Sequence, residues 1–208
     1  MARARKVSAP LAADPPPRPR RGAPADTRLR LLQAAAEVFN RVGYEGTDSN
    51  RLAREAGYSA GTFYKHFADK RTVFLAVYEE WVAREWEEIG RVLSAAGAAR
   101  QRAEQIVGVF LAHHARWRGV RSSLRALVAT DTVVADFYRA QRRVQLDRMV
   151  TLSAGRRHKA SREADVLLLY TLERAADALA DGEATALGLR PAALRLCLVE
   201  LVIARIRT

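Results

Sequence analysis

Apolar residues recur at helical spacing along most of this chain. The stripe Leu31, Leu32, Ala35, Val38, Phe39 and Val42 predicts a first helix, capped by Asp26 or Thr27 and ended by Gly43. Two short segments follow. The first, Asp48 to Glu55, is capped by Thr47 or Asp48 and turns Leu52 and Ala53 inward. The second starts at Ser59 and runs to about His66, with Phe63 and Phe67 four apart on one side. Ala56-Gly57-Tyr58 breaks them, where a sharp turn favours a residue tolerant of positive φ. Asp69 opens a long helix through Val73, Phe74, Val77, Tyr78, Trp81, Val82 and Trp86 to about Leu93.

Beyond Ala98 the pattern stays helical, without strand alternation. Segments are predicted over about Arg100–Trp117, Ser122–Thr130, Thr132–Ser153, Arg162–Ala180 and Pro191–Ile206. On the third of these, Arg139, Arg142, Arg143 and Arg148 read as a wet face. The acids Glu79, Glu80, Glu85, Glu87 and Glu88 of the long helix read likewise. The last helix carries Leu194, Leu196, Leu198, Val199, Leu201, Val202, Ile203 and Ile206 around most of its circumference, so it needs cover on more than one side. A second subunit supplies that cover most simply; an internal position is the other reading.

Composition narrows the class. A chain of 208 residues can build a substantial core, and half of it is apolar. The formal net charge of +12 points to a polyanionic partner, nucleic acid or an anionic membrane surface. No apolar run of spanning length lacks charges. The lone Cys197 excludes an intramolecular disulfide and fits a reducing cytoplasm. Residues 1–25 hold most of the prolines and six basic residues against Asp14, and are expected to form a disordered basic arm. Pro10 and Asp14 interrupt its apolar stretch, which argues against a secretory signal. The arm is either a solvated tail or a DNA contact. A basic loop, Arg156-Arg157-His158-Lys159, is expected before the last two helices.

The two short segments and their glycine turn have the outline of a helix-turn-helix, whose second helix enters the DNA major groove. Ala60 and Gly61 are small enough for close approach. Ser59, Thr62, Tyr64, Lys65 and His66 carry groups for phosphates or base edges. The outline alone is also that of an ordinary helical hairpin.

From Thr27 to Trp81 the chain resembles the TetR family of bacterial transcriptional regulators. The matching residues are Ala35-Ala36, Phe39, Gly43-Tyr44, Thr47, Leu52-Ala53, Ala56-Gly57, Ser59, Gly61-Thr62, Tyr64, Phe67 and Lys70, in order and without a gap. The resemblance implies an all-α dimer: a three-helix helix-turn-helix domain over 26–70, then a helical ligand-binding and dimerisation domain over 71–208. It implies that Lys70 meets a DNA phosphate and that helices 162–180 and 191–206 form a two-fold four-helix interface. It also implies a small-molecule effector among the C-terminal helices. Two positions depart from the family: many members carry a hydroxyl residue where Asp48 stands, and often an apolar one at Ser49. Which of Thr47, Asp48 and Ser49 touches DNA stays open.

Other chemistry is sparse. There is no phosphate-binding glycine loop or dinucleotide fingerprint, and His66, His113, His114 and His158 have no ligand spacing with one another or with Cys197. No metal, cofactor or catalytic set is expected. Trp81, Trp86, Phe110, Trp117, Phe137, Tyr138 and Tyr170 are the bulky candidates for a ligand pocket, although each also reads as core. His113-His114 either lines that pocket or is partly exposed. With few charges expected on inward faces, the effector should be mainly apolar. The reading is therefore a cytoplasmic repressor released from a pseudo-palindromic operator by a ligand, with the long fourth helix carrying the signal. The alternatives are a non-specific, charge-driven DNA-binding protein or an enzyme with its site in the C-terminal helices.

Overall fold

The computed structural model describes residues 23–152 and 161–207. The predicted arm, as far as residue 22, and the basic loop at 156–159 lie outside them. Among the described residues the fold is all-α: a three-helix N-terminal unit followed by a larger helical assembly.

The first helix, α1, spans Pro24–Val42. It starts earlier than expected and without a side-chain cap, because Pro24 occupies the first turn, where its missing N–H costs nothing. Asp26 and Thr27 thus lie inside the helix, and the boundary placed at residue 25 moves to 23. Gly43 ends α1 at φ +74°. α2 spans Ser49–Glu55 and α3 Ala60–Tyr64. Gly57 turns the chain between them at φ +78°. α3 stops short of His66 as regular helix, although Phe67 N–H still bonds Phe63 O at 2.9 Å. Leu31, Ala35, Phe39, Leu52, Ala53, Phe63 and Phe67 form the unit's buried core. Phe74 closes it from below, edge-on to Phe39 at 5.1 Å.

α4 spans Lys70–Ser94, roughly 37 Å at helical rise, and packs on α1, α5 and α7. α5 (Ala99–Arg116) is the centre of the larger assembly, sandwiched by α4, α8 (Arg162–Ala180) and α10 (Pro191–Arg207). α6 (Arg118–Thr130) begins four residues earlier than expected, directly after Trp117, and packs between α1 and α7 (Thr132–Leu152). A four-residue helix, α9 (Glu183–Ala186), sits in the link before α10, too short for periodicity to reveal.

α10 buries Leu198, Val199, Val202 and Ile203, while Leu196 and Leu201 remain 58% and 45% exposed. On α8, Leu169 and Leu172 are buried and Leu167 and Tyr170 face out. Both helices thus retain an uncovered apolar face.

Candidate nucleic-acid interface and the C-terminal core

Three side-chain caps shape the N-terminal unit. The Asp48 carboxylate accepts Arg51 N–H at 2.8 Å, so this residue caps α2. Ser59 Oγ accepts Thr62 N–H at 3.2 Å and also lies 3.1 Å from Thr62 Oγ1. Asp69 accepts Thr72 N–H at 2.6 Å, and those bonds hold its carboxyl below the usual range. With Ser59 and Thr62 bonded to each other and Phe63 fully buried, α3 presents Tyr64 and Lys65 as exposed side chains. Gly61 is exposed as well; Ala60 and His66 are half-buried.

The expected contact residues do not share one environment. Ser49 is half-buried and Thr47 is buried. Lys70 is engaged inside the fold: its ammonium donates to Tyr44 O at 3.0 Å and Thr47 O at 3.1 Å, and stands 4.0 Å from the Tyr44 ring centre. It staples the α1–α2 loop to the start of α4. Two ordinary carbonyl bonds and a cation–π contact explain the position without DNA.

The expectation of few inward charges in the C-terminal helices is overturned. Glu85, taken as part of a wet face, is buried at 3% exposure; Arg142, taken likewise, is buried at 8%. Arg142 pairs with Glu173 of α8 through both guanidinium nitrogens and with the Tyr138 hydroxyl. His114 is buried, not partly exposed; its Nδ1 lies 3.0 Å from Asp177. Arg121 grips the same Asp177 with a two-pronged pair at 2.6 and 2.8 Å, and Arg125 adds a bond at 2.7 Å. Burial alone would raise Asp177, but the His114 and Arg121 bonds outweigh it and hold its carboxyl far below the ordinary range. Burial pushes Glu85 the other way, up to about 8, with Glu173 adding to the rise. It lowers His114. His113 is fixed differently: its Nδ1 accepts the Trp81 indole N–H at 3.1 Å, while Nε2 faces Glu88 at 3.3 Å.

The aromatic ligand candidates do not converge. Trp86 and Phe110 line an apolar cavity of only about 70 Å³. Trp81 and Trp117 border an open cleft of about 600 Å³ between α1 and the α4–α5 pair. Tyr138 borders a third cavity, about 170 Å³, with Arg121 and Arg125. Phe137 packs on Tyr78 at 6.2 Å, and Tyr170 is an exposed residue of α8.

The N-terminal unit is tied to α6. The Asn40 side chain donates to Arg116 O at 2.7 Å and accepts Gly119 N–H at 2.9 Å. Tyr44 N–H donates to Ser123 Oγ at 2.9 Å. α4 is therefore not the sole connection between the two parts. Sequence periodicity gave no sign of this second one, since Asn40 and Ser123 are polar and periodicity marks only apolar positions.

No group of metal-binding side chains occurs among the described residues, and none of their helices is long and apolar enough to cross a membrane.

The sequence model described as "Bacterial regulatory proteins, tetR family" matches residues 31–77. The HTH-type transcriptional repressor AcnR of Corynebacterium diphtheriae is 31% identical over 106 residues, covering 50% of this chain and 51% of that protein. AcnR of Corynebacterium glutamicum is 39% identical over 61 residues, 29% of this chain and 32% of the relative. The matches thus span about a third to a half of the relatives' length. Beyond them the likeness is of fold. A TetR-family regulator from Rhodococcus sp. superimposes with a TM-score of 0.69 at 16% identity, covering 86% of this chain and 97% of the other. FadR from Bacillus subtilis, solved in complex with stearoyl-CoA, gives 0.64 at 15% identity over 84% of this chain and 97% of that one. The N-terminal unit thus carries the sequence pattern of the tetR family of bacterial regulatory proteins, and the helices beyond it share the fold of these solved structures.

Proposed function

We propose that this protein is a homodimeric, sequence-specific DNA-binding repressor whose hold on a pseudo-palindromic operator is released by a small molecule. The observation that carries the reading is α3. Its apolar side is locked into the core by Phe63 and Phe67, its first turn is closed by Ser59, and Tyr64 and Lys65 project into solvent. That is the disposition of a helix that reads a groove. Ser59, Ala60, Gly61, Thr62 and His66 frame the same surface. On α2 the cap role of Asp48 leaves Ser49 as the better candidate beside phosphate. Lys70 and Thr47 act from within, by holding the loop.

Two such helices would meet successive major grooves about 34–36 Å apart. The uncovered apolar faces of α8 and α10, with Leu167, Tyr170, Leu196 and Leu201, support a two-fold interface that fixes that spacing. A ligand preferring another spacing would shift the population away from the DNA-competent state. The apolar cavity, at about 70 Å³, favours no large apolar effector.

The test replaces Tyr64 and Lys65 by Ala together. Both are exposed, so the circular dichroism spectrum and melting temperature should hold while operator affinity falls at least tenfold. Unchanged operator binding would reject α3 as the reading element.

A further inference from the structure

The cavity between α6 and α7 sets two paired arginines beside hydrocarbon. It measures about 170 Å³ and is lined by Arg121, Leu124, Arg125, Val128 and Tyr138. That is room for about six waters. Four guanidiniums gather around it or one shell away: Arg118, Arg121, Arg125 and Arg142. They meet three carboxylates: Asp177 binds Arg121 and Arg125, Asp181 binds Arg118 and Arg125, and Glu173 binds Arg142. Burial pushes the fourth acid nearby, Glu85, up to about 8, so the four guanidiniums are paired with three carboxylates. Each guanidinium has five N–H donors. Arg121 and Arg125 each spend two on carboxylates, so donors remain beside the cavity. Leu124 and Val128 lie on the same face of α6 as Arg121 and Arg125 and add hydrocarbon to the lining, with Tyr138 of α7 across from them.

We propose that this cavity binds a small organic carboxylate, with its carboxyl group on Arg121 and Arg125 and its hydrocarbon part against Leu124 and Val128. The apolar wall favours a carboxylate over an inorganic oxyanion, which would leave that wall unmatched. The site lies on α6, the helix hydrogen-bonded to Asn40 of α1 through Gly119 and to Tyr44, just past α1, through Ser123. A bound carboxylate competes with Asp177 and Asp181 for Arg125, and so acts on the helix that positions the N-terminal unit. As an effector site this rests on the regulator reading above; as a binding site it does not.

The purified full chain is titrated calorimetrically, without DNA, with acetate, butyrate and phosphate against chloride at one ionic strength. Saturable binding is expected for the carboxylates, tighter for butyrate than for acetate, and none for phosphate. Arg125→Ala should weaken butyrate about ten- to hundredfold, the loss expected for a charge-assisted bond. Val128→Trp, which fills the apolar side, should abolish binding and covers the case in which Arg125→Ala fails to fold. No saturation by butyrate, equal binding of phosphate, or unaltered affinity in folded Val128→Trp would each overturn the proposal. Carboxylate binding by a protein that shows no DNA preference would leave the site standing and remove only its regulatory role.

Discussion

The side-chain oxygen of Asn40, near the end of α1, accepts the backbone N–H of Gly119, in the first turn of α6, at 2.9 Å. The helices approach so closely there that a Cβ at position 119 would lie 2.0 Å from the Asn40 carbonyl oxygen, well inside contact distance. Only glycine fits without backbone movement.

Gly119→Ala should therefore separate α1 from α6 rather than strain a turn. We expect a loss of about 1–3 kcal/mol in denaturant unfolding, the usual range for forced overpacking. Hydrogen exchange at the Tyr44 and Gly119 amides should rise. An unchanged unfolding midpoint would mean that the two helices slide apart freely.

Lys70 gives a test that separates a structural from a DNA-contacting lysine. Lys70→Met removes the bonds to Tyr44 O and Thr47 O. The expected result is lower stability, by about 1–3 kcal/mol, and no change in the salt dependence of DNA binding. A phosphate contact would instead lower the slope of log K against log salt by about one, with stability unaltered.

The buried acid Glu85 sets a pH dependence. Its carboxyl titrates at about 8 in the fold against 4.5 unperturbed, so between those values the folded protein holds a proton that the unfolded chain has lost. Stability must fall as pH rises through that window. Below 6.5 the lowered His114 opposes the trend, because the unfolded chain then binds the extra proton. Between pH 6.5 and 8 Glu85 acts alone of the two, and its limiting slope is about 1.4 kcal/mol per pH unit. Glu85→Gln should flatten the unfolding free energy over that interval. A slope unaffected by the substitution would place the proton elsewhere.

The exposed faces of α8 and α10 predict the assembly state. Leu196→Glu combined with Leu201→Glu places charges on the uncovered side and leaves Leu198, Val199, Val202 and Ile203 in place. Light scattering should show the native chain at twice its 23.1 kDa mass and the variant at the single mass. A native monomer would remove the two-fold arrangement.

The parts legible in the sequence were those governed by local rules. Ser59 and Asp69 each read as a cap and each accepts the expected backbone N–H; of the two cap candidates for α2, the structure selects Asp48. Phe63 and Phe67 read as core by their spacing, and both are buried. The start of α1 was misplaced because polar residues near a helix start look like caps, whereas Pro24 had already begun the first turn. Illegible were the buried charges. Arg142, Glu85 and His114 look like solvent-facing residues on amphipathic helices, and what buries them lies far along the chain: Glu173 for Arg142 and Asp177 for His114. A charge enters a core only when its partner arrives with it, and periodicity carries no record of such pairs. The scattering of five of the seven aromatic candidates over three cavities has the same origin, since size predicts burial but not which cavity a ring borders.

The measurement that bears most directly on the account is binding of the purified full chain to DNA from upstream of its own gene, against unrelated DNA, at about 0.15 M salt, where surface charge is largely screened. A sequence-specific repressor predicts a preference of roughly a thousandfold or more for a site within that DNA, or for a site recovered by selection from the genome if its operator lies elsewhere. Equal affinity for every sequence in both experiments, with a steep fall as salt rises, would contradict it and leave a protein held to DNA by its net charge of +12 alone.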